Sequence, residues 1–312
     1  MTPRLRAFDG RLTARLLTVL LLSTTLFSCV KEQKLGSRGN PVKLYFTPSV
    51  DSETITKNST EFLKFLEKET GLYFETGIPA NYIAVVEALG SKRADIAVMN
   101  SFGYLMANRK FGAEAKLRVL RYGEDHYRGQ IIARKGTGIE DVKDLQGKDF
   151  AFTDSSSTSG YMFPLKIIKE NDVELGNTVF GYKHDNVVTM IYQGQVDAGA
   201  TYYSPPSEDG EIRDARARVK TQFPDVKDKV KIVTITEPIP NDPFVFRKEL
   251  PEKVSNKFIN ALKKFIASPE GEKIFQEIYS VGGVVETTDE DYDGLREMIK
   301  TIDLDTNKLL AK

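Results

Sequence analysis

The stretch Phe150-Ala-Phe-Thr-Asp-Ser-Ser-Ser-Thr-Ser-Gly-Tyr-Met-Phe-Pro164 sets a block of small hydroxyl side chains between an apolar strand and an apolar-faced helix. Ser155 to Ser159 form the block, Gly160 follows, and Tyr161 to Glu170 reads as the helix, with Pro164 tolerated in its first turn. The first backbone N–H groups of a helix have no acceptor within it, and the helix dipole is positive at that end. Hydroxyls and free amides together can hold a phosphate-like anion without a Lys or Arg. With nothing bound, the same block is a Ser/Thr-rich helix cap. The rest of the chain has to decide between the two.

Other elements must bring groups to that loop. Val42 to Thr47 is predicted as a strand, leading into the polar loop Pro48-Ser-Val-Asp-Ser52. Ile55 to Glu69 is an amphipathic helix with Ile55, Phe62, Leu63 and Leu66 on one stripe, stopped by Gly71. Tyr82 to Leu89 is a second helix, and Asp95-Ile-Ala-Val98 a buried strand opening onto Asn100-Ser-Phe-Gly-Tyr104. Strand and helix alternate, the signature of an α/β fold with largely parallel sheets.

The second half echoes the first. A shift of 102 sets Tyr82 on His184, Val85 on Val187 and Asp95 on Asp197, and a similar shift sets Phe46-Thr47 on Phe152-Thr153. Two similar lobes facing each other would enclose a cleft at the carboxyl ends of their strands, where ligands of open α/β sheets sit. The predicted lobes are residues 41–136 with 238–312, and residues 137–237. The crossovers are read at the strand Gly129 to Arg134, followed by a helix from Ile139 to Leu145, and at the strap Glu237-Pro-Ile-Pro-Asn-Asp-Pro243. Helices Leu250 to Ala267 and Glu270 to Tyr279 complete the first lobe, and Ser204 to Lys229, with its charge-rich run Arg213 to Lys220, reads as a solvated excursion on the second lobe.

The N-terminus reads as a secretion signal over residues 1–28: Arg4, Arg6, Arg11 and Arg15 precede an apolar stretch, Leu16 to Phe27. It ends in Leu26-Phe-Ser-Cys29, which resembles the lipobox of bacterial lipoproteins and implies lipidation of Cys29, the only cysteine. Residues 29–40 read as a tether. Residues 1–28 hold four Arg and one Asp, so their removal takes the net charge from 0 to −3. A mildly acidic chain argues against nucleic acid as a partner, and implies that a bound anion is captured by local dipoles.

Several motifs occur in order: Ala80-Asn-Tyr-Ile-Ala-Val-Val-Glu87, Asp95-Ile-Ala97, Ser157-Thr-Ser-Gly160 with Pro164, His184-Asp185 and Gly194-Gln-Val-Asp-Ala198. Over nearly all of residues 41–285 the chain resembles the phosphonate/phosphite/phosphate-binding proteins of ABC importers, which are type II periplasmic binding proteins. The resemblance implies two α/β lobes joined by two crossovers, with a small phosphorus oxyanion trapped between them for delivery to a permease. It implies no catalysis, no cofactor and no metal, and a monomer held by its lipid on the periplasmic side of a bacterial membrane. Carried over residue by residue, Ser157, Thr158 and Ser159 would bind the oxyanion, His184 would donate to it, and Tyr82 would reach it from the other lobe. Ser101 is a candidate at the cleft edge. Tyr202 and Tyr203 stand where aminoalkylphosphonate binders use a carboxylate, which leaves Asp242 as the candidate for that role, while Asp154, Asp185 or Asp242 is a candidate acceptor for the proton of a protonated phosphorus oxyanion. Asp95 and Asp197 read as structural. The alternatives are a same-fold receptor for another anion such as a sulfonate, a partner of a sensor, or a serine hydrolase. The last finds no Gly-x-Ser-x-Gly elbow here.

Overall fold

The computed structural model describes residues 33–49 and 52–302. The signal, Cys29, Val50, Asp51 and the tail from residue 303 lie outside the described residues.

The first sheet is built mostly before the serine loop. It comprises β1 (Val42–Phe46), β2 (Phe74–Gly77), β3 (Ile96–Val98), β4 (Glu114–Arg121), β10 (Pro243–Phe246) and β11 (Val281–Glu286), in the order β11-β4-β10-β3-β1-β2. Its helices are α1 (Ser52–Thr70), α2 (Tyr82–Gly90), α3 (Ser101–Phe111), α7 (Glu252–Ile266), α8 (Pro269–Tyr279) and α9 (Asp293–Thr301). The apolar stripe of α1 buries Phe62 among Phe258, Phe265 and Phe275, with ring centroids 6.3, 5.0 and 5.0 Å away. Burying such a ring is worth roughly 1.5–3 kcal/mol, and it welds the C-terminal helices to this sheet.

The second sheet has β5 (His126–Arg134), β6 (Phe150–Phe152), β7 (Thr178–Phe180), β8 (Ala198–Tyr203) and β9 (Val230–Pro240), in the order β7-β6-β8-β5-β9. It carries α4 (Phe163–Glu170), α5 (His184–Gln193) and the short α6 (Val226–Lys229). In each sheet three strands run parallel, β2-β1-β3 and β7-β6-β8, and the pairs beyond them are antiparallel. The sheets are therefore mixed rather than largely parallel.

Five local readings change. The sequence pattern puts the strand at 129–134 in the first lobe, but it is hydrogen-bonded between β8 and β9 in the second sheet. The first crossover falls earlier, at Tyr122–Asp125. Tyr122 and Gly123 both have positive φ (54° and 83°) and Arg121 and Glu124 pair around them, a turn of the I′ kind. Pro238 and Pro240 are not a free strap but lie in β9, opposite Arg128 and His126. β9 is an edge strand, where a missing N–H costs least. From Ile139 only a single turn of 3-10 helix forms, at Lys143–Leu145. Gly36, read as tether, accepts from Tyr73 N at 2.9 Å, and its own N–H donates to Asn40.

The two echoing aspartates do the same job. Asp95 accepts from Lys43 N at 2.9 Å and Asp197 from Asp149 N at 3.1 Å, each clamping the start of a neighbouring parallel strand. Asp95 also pairs with Arg247 at 2.7 Å, both side chains nearly buried. Removing one partner of a buried pair strands the other. Asp95→Ala is expected to cost about 3 kcal/mol in urea unfolding, and adding Arg247→Met should recover part of that loss. A cost below 1 kcal/mol would show the pair to be solvated.

Candidate functional site

One cavity of about 60 Å³ opens where the carboxyl ends of both sheets meet. A single water-sized sphere occupies roughly 10–15 Å³ on this scale, so the space suits a compact molecule rather than a nucleotide. Four helix starts line it. Tyr82 is the first residue of α2, capped by Asn81. Asn100 caps α3 by accepting from Gly103 N. Ser157 caps the π-helical turn Thr158–Met162 that runs into α4, and His184 begins α5. Their dipoles converge with positive ends inward.

The serine loop is held by close approach. Ser157 Oγ accepts from Gly160 N at 3.0 Å. A Cβ on Gly160 would sit 2.2 Å from Thr153 Oγ1, and one on Gly129 would sit 2.8 Å from Ser159 O, so both positions require glycine. Ser157 and Ser159 face the cavity. Thr158 does not: its hydroxyl donates to Asn100 Oδ1 at 3.1 Å and accepts from Phe102 N at 3.0 Å, latching the loop to the first sheet. Ser101 is likewise turned away, donating to Pro240 O. Both were expected at the ligand, and both instead join elements of opposite sheets.

His184 is 6% exposed, and its Nδ1 lies 3.1 Å from Thr153 Oγ1, which also reaches Ala200 O. With Nδ1 engaged there, Nε2 is left for the cavity. Tyr202 packs edge-on against the imidazole, with centroids 5.0 Å apart. Burial raises the Tyr202 hydroxyl, keeping it protonated and able to donate. Burial first, then Arg121 and Arg218, push His184 down to about 3.

The cavity also holds three guanidiniums, from Arg121, Arg213 and Arg218. Arg121 is neutralised by Asp242 at 2.6 Å, so Asp242, a candidate proton acceptor, is already committed. Asp154 is committed too, accepting from Ser156 N and Oγ at 2.9 and 2.7 Å. Asp185 is not among the lining residues. The expectation of capture by dipoles alone is therefore corrected, because cations line the same space.

Residues 44–292 match the family described as ABC transporter, phosphonate, periplasmic substrate-binding protein. The chain belongs to that family. It is a family of transport receptors rather than of enzymes, and its place is periplasmic. The phosphate-import protein PhnD of Mycolicibacterium smegmatis is 26% identical over 312 aligned residues, covering 90% of this chain and 92% of that protein. The binding-protein component of an ABC phosphonate transporter from Pseudomonas aeruginosa has the same fold, with a TM-score of 0.73 at 19% identity over 84% of this chain and 86% of that one. PhnD1 from Prochlorococcus marinus, solved in complex with methylphosphonate, gives 0.72 at 16% identity over 84% and 98%. The type II periplasmic-binding-protein fold is thus established.

Within this phosphonate-family chain, Ser157, Ser159, His184, Tyr82, Tyr202 and Asp242 come together at the cavity. The arginines were missed. Arg213 and Arg218 sit in a charged run that looked solvated, yet Ala215 and Val219 in the same run are buried in the second core. Apolar residues four apart inside a charged run were the available signal.

The depressed His184 has a thermodynamic consequence. Below the ordinary imidazole value of about 6.5 the unfolded chain takes up a proton that the folded site refuses. Ligand-free stability should be unaffected by this group above pH 7 and fall by roughly 2 kcal/mol between pH 7 and pH 5 relative to a His184→Gln variant. Parallel pH profiles for the two proteins would contradict a neutral, buried His184.

Proposed function

We propose that this chain captures a small phosphorus oxyanion in the cavity, between Ser157, Ser159, His184 and Tyr82, and delivers it unchanged to an ABC permease. The observation that carries the reading is the convergence of four helix starts and net positive side chains on one small cavity. Each charge-assisted hydrogen bond contributes about 1.5–3 kcal/mol, so a few reach micromolar affinity, about −8 kcal/mol, after the costs of association. His184 supports a receptor rather than a hydrolase. Its Nδ1 rests on a threonine, whereas a triad base needs a carboxylate behind it. Its free Nε2 can share a proton with a protonated phosphorus oxyanion, and sulfate brings no such proton. In this reading lipidated Cys29 holds a monomeric receptor at the membrane surface.

Thermal unfolding against phosphate, phosphite, methylphosphonate, sulfate and taurine tests the ligand class, since a ligand of the folded state raises the melting temperature. Phosphorus oxyanions should raise it and sulfate should not, and Ser159→Ala should weaken the best ligand by about tenfold. Equal shifts with sulfate, or none with any phosphorus compound, would sink the assignment. For the anchor, Cys29→Ser should release the protein from membranes, and continued membrane retention would remove Cys29 from the account.

A further inference from the structure

The charged groups lining the cavity are Arg121, Arg213, Arg218 and Asp242. Asp242 cancels Arg121, leaving two guanidiniums. Neither is paired with a carboxylate among the described residues. Arg213 stacks over the Tyr122 ring at 4.4 Å, and Arg218 donates to Tyr202 Oη and to Glu277 O, each at 3.3 Å. Those contacts orient the guanidiniums without neutralising them. The contrast lies between them in sequence: Arg216 is buried and closed off by Asp214, with Nη2 2.8 Å from Oδ2. The same short segment therefore supplies a counter-charge for one arginine and turns two others into the cavity without one.

The placement is separate from the serine loop. Ser157 and Ser159 sit at the start of the turn leading to α4, whereas Arg213 and Arg218 come from the 3-10 turn Ala215–Val219 and its approach. Tyr202 stands between the two groups, touching His184 with its ring and Arg218 with its hydroxyl. A ligand whose phosphoryl group lies against Ser157, Ser159 and His184 would extend its substituent past Tyr202 toward the arginines.

We propose that Arg213 and Arg218 form a second anion-binding pole, so that the ligand class is a compact phosphonate bearing a second acidic group on a short spacer, such as a carboxylate. This rests on the reading of the cavity as a phosphorus-oxyanion site. A planar guanidinium matches a carboxylate in two parallel hydrogen bonds. A protonated amine in the same place would face two uncompensated cations, and like charges in a desolvated site exclude the wrong partner. The pole thus selects against aminoalkyl substituents as well as for acidic ones.

Calorimetric titration of the purified protein with phosphonoacetate, methylphosphonate and 2-aminoethylphosphonate tests this. Phosphonoacetate is expected to bind at least about tenfold tighter than 2-aminoethylphosphonate. Arg213→Gln with Arg218→Gln should lower phosphonoacetate affinity about tenfold or more and methylphosphonate affinity no more than about threefold. Arg213→Gln alone, which within the ligand-free fold gives up only the stack on Tyr122, should show the same direction even where the double variant is unstable. A preference for 2-aminoethylphosphonate, or equal losses for both other ligands, would overturn the second pole while the receptor reading stands. Binding of methylphosphonate by the wild-type protein is the marker of that reading, and no binding of any of the three would overturn both.

Discussion

The Arg121 guanidinium is the joint on which the arrangement turns. It ends β4, and its Nη2 and Nη1 reach Asp242 at 2.6 Å and Asn241 at 3.1 Å, the two residues of the return crossover. Asn241 in turn donates from its backbone to Asp125 O at 3.0 Å and from its side chain to Glu124 O at 2.8 Å. Arg118 closes the circuit on Asp125 at 2.6 Å. Two chain segments 120 residues apart thus become one hydrogen-bonded unit between the sheets. Because Arg121 and Asp242 also line the cavity, the joint and the site share a charge pair. A buried pair of this kind is weak as a source of stability and strong as a constraint, since neither partner can leave without stranding the other.

Around that joint the fold gathers positive potential that it does not discharge. Four helix starts, two unpaired guanidiniums and a neutral imidazole face one small space. In a partly desolvated setting each of these acts more strongly on an anion than it would in water. The two guanidiniums also repel one another, so an anion held between them would relieve the arrangement. The latches Thr158 to Asn100 and Ser101 to Pro240 join the two sheets beside residues that line the cavity.

What could be read from the sequence was local. Helix starts leave short signatures, so Ser157 and Ser159 were legible as hydroxyls placed just ahead of an apolar stripe, whereas His184 and Tyr82 entered through the family resemblance. Asp95 and Asp197 were legible as structural because they precede buried strands. The errors lay in partners that only the tertiary fold supplies. Thr158 and Ser101 have the right chemistry, but their hydroxyls are consumed across the sheets. Asp242 is consumed by an arginine far away in the chain. Arg213 and Arg218 were dismissed because charge density in a run suggests solvent, whereas the buried Ala215 and Val219 pin that run to the core. The proline-rich stretch misled for a similar reason: prolines forbid a central strand but not an edge strand such as β9.

A crystal structure of the protein grown with methylphosphonate would test the central claim most directly. The account predicts the phosphonate oxygens within hydrogen-bond reach of Ser157, Ser159 and His184 Nε2, with the methyl group toward Tyr202 and the Arg121–Asp242 pair intact. Phosphonate bound elsewhere, or Asp242 released from Arg121 to take the ligand's proton, would contradict it.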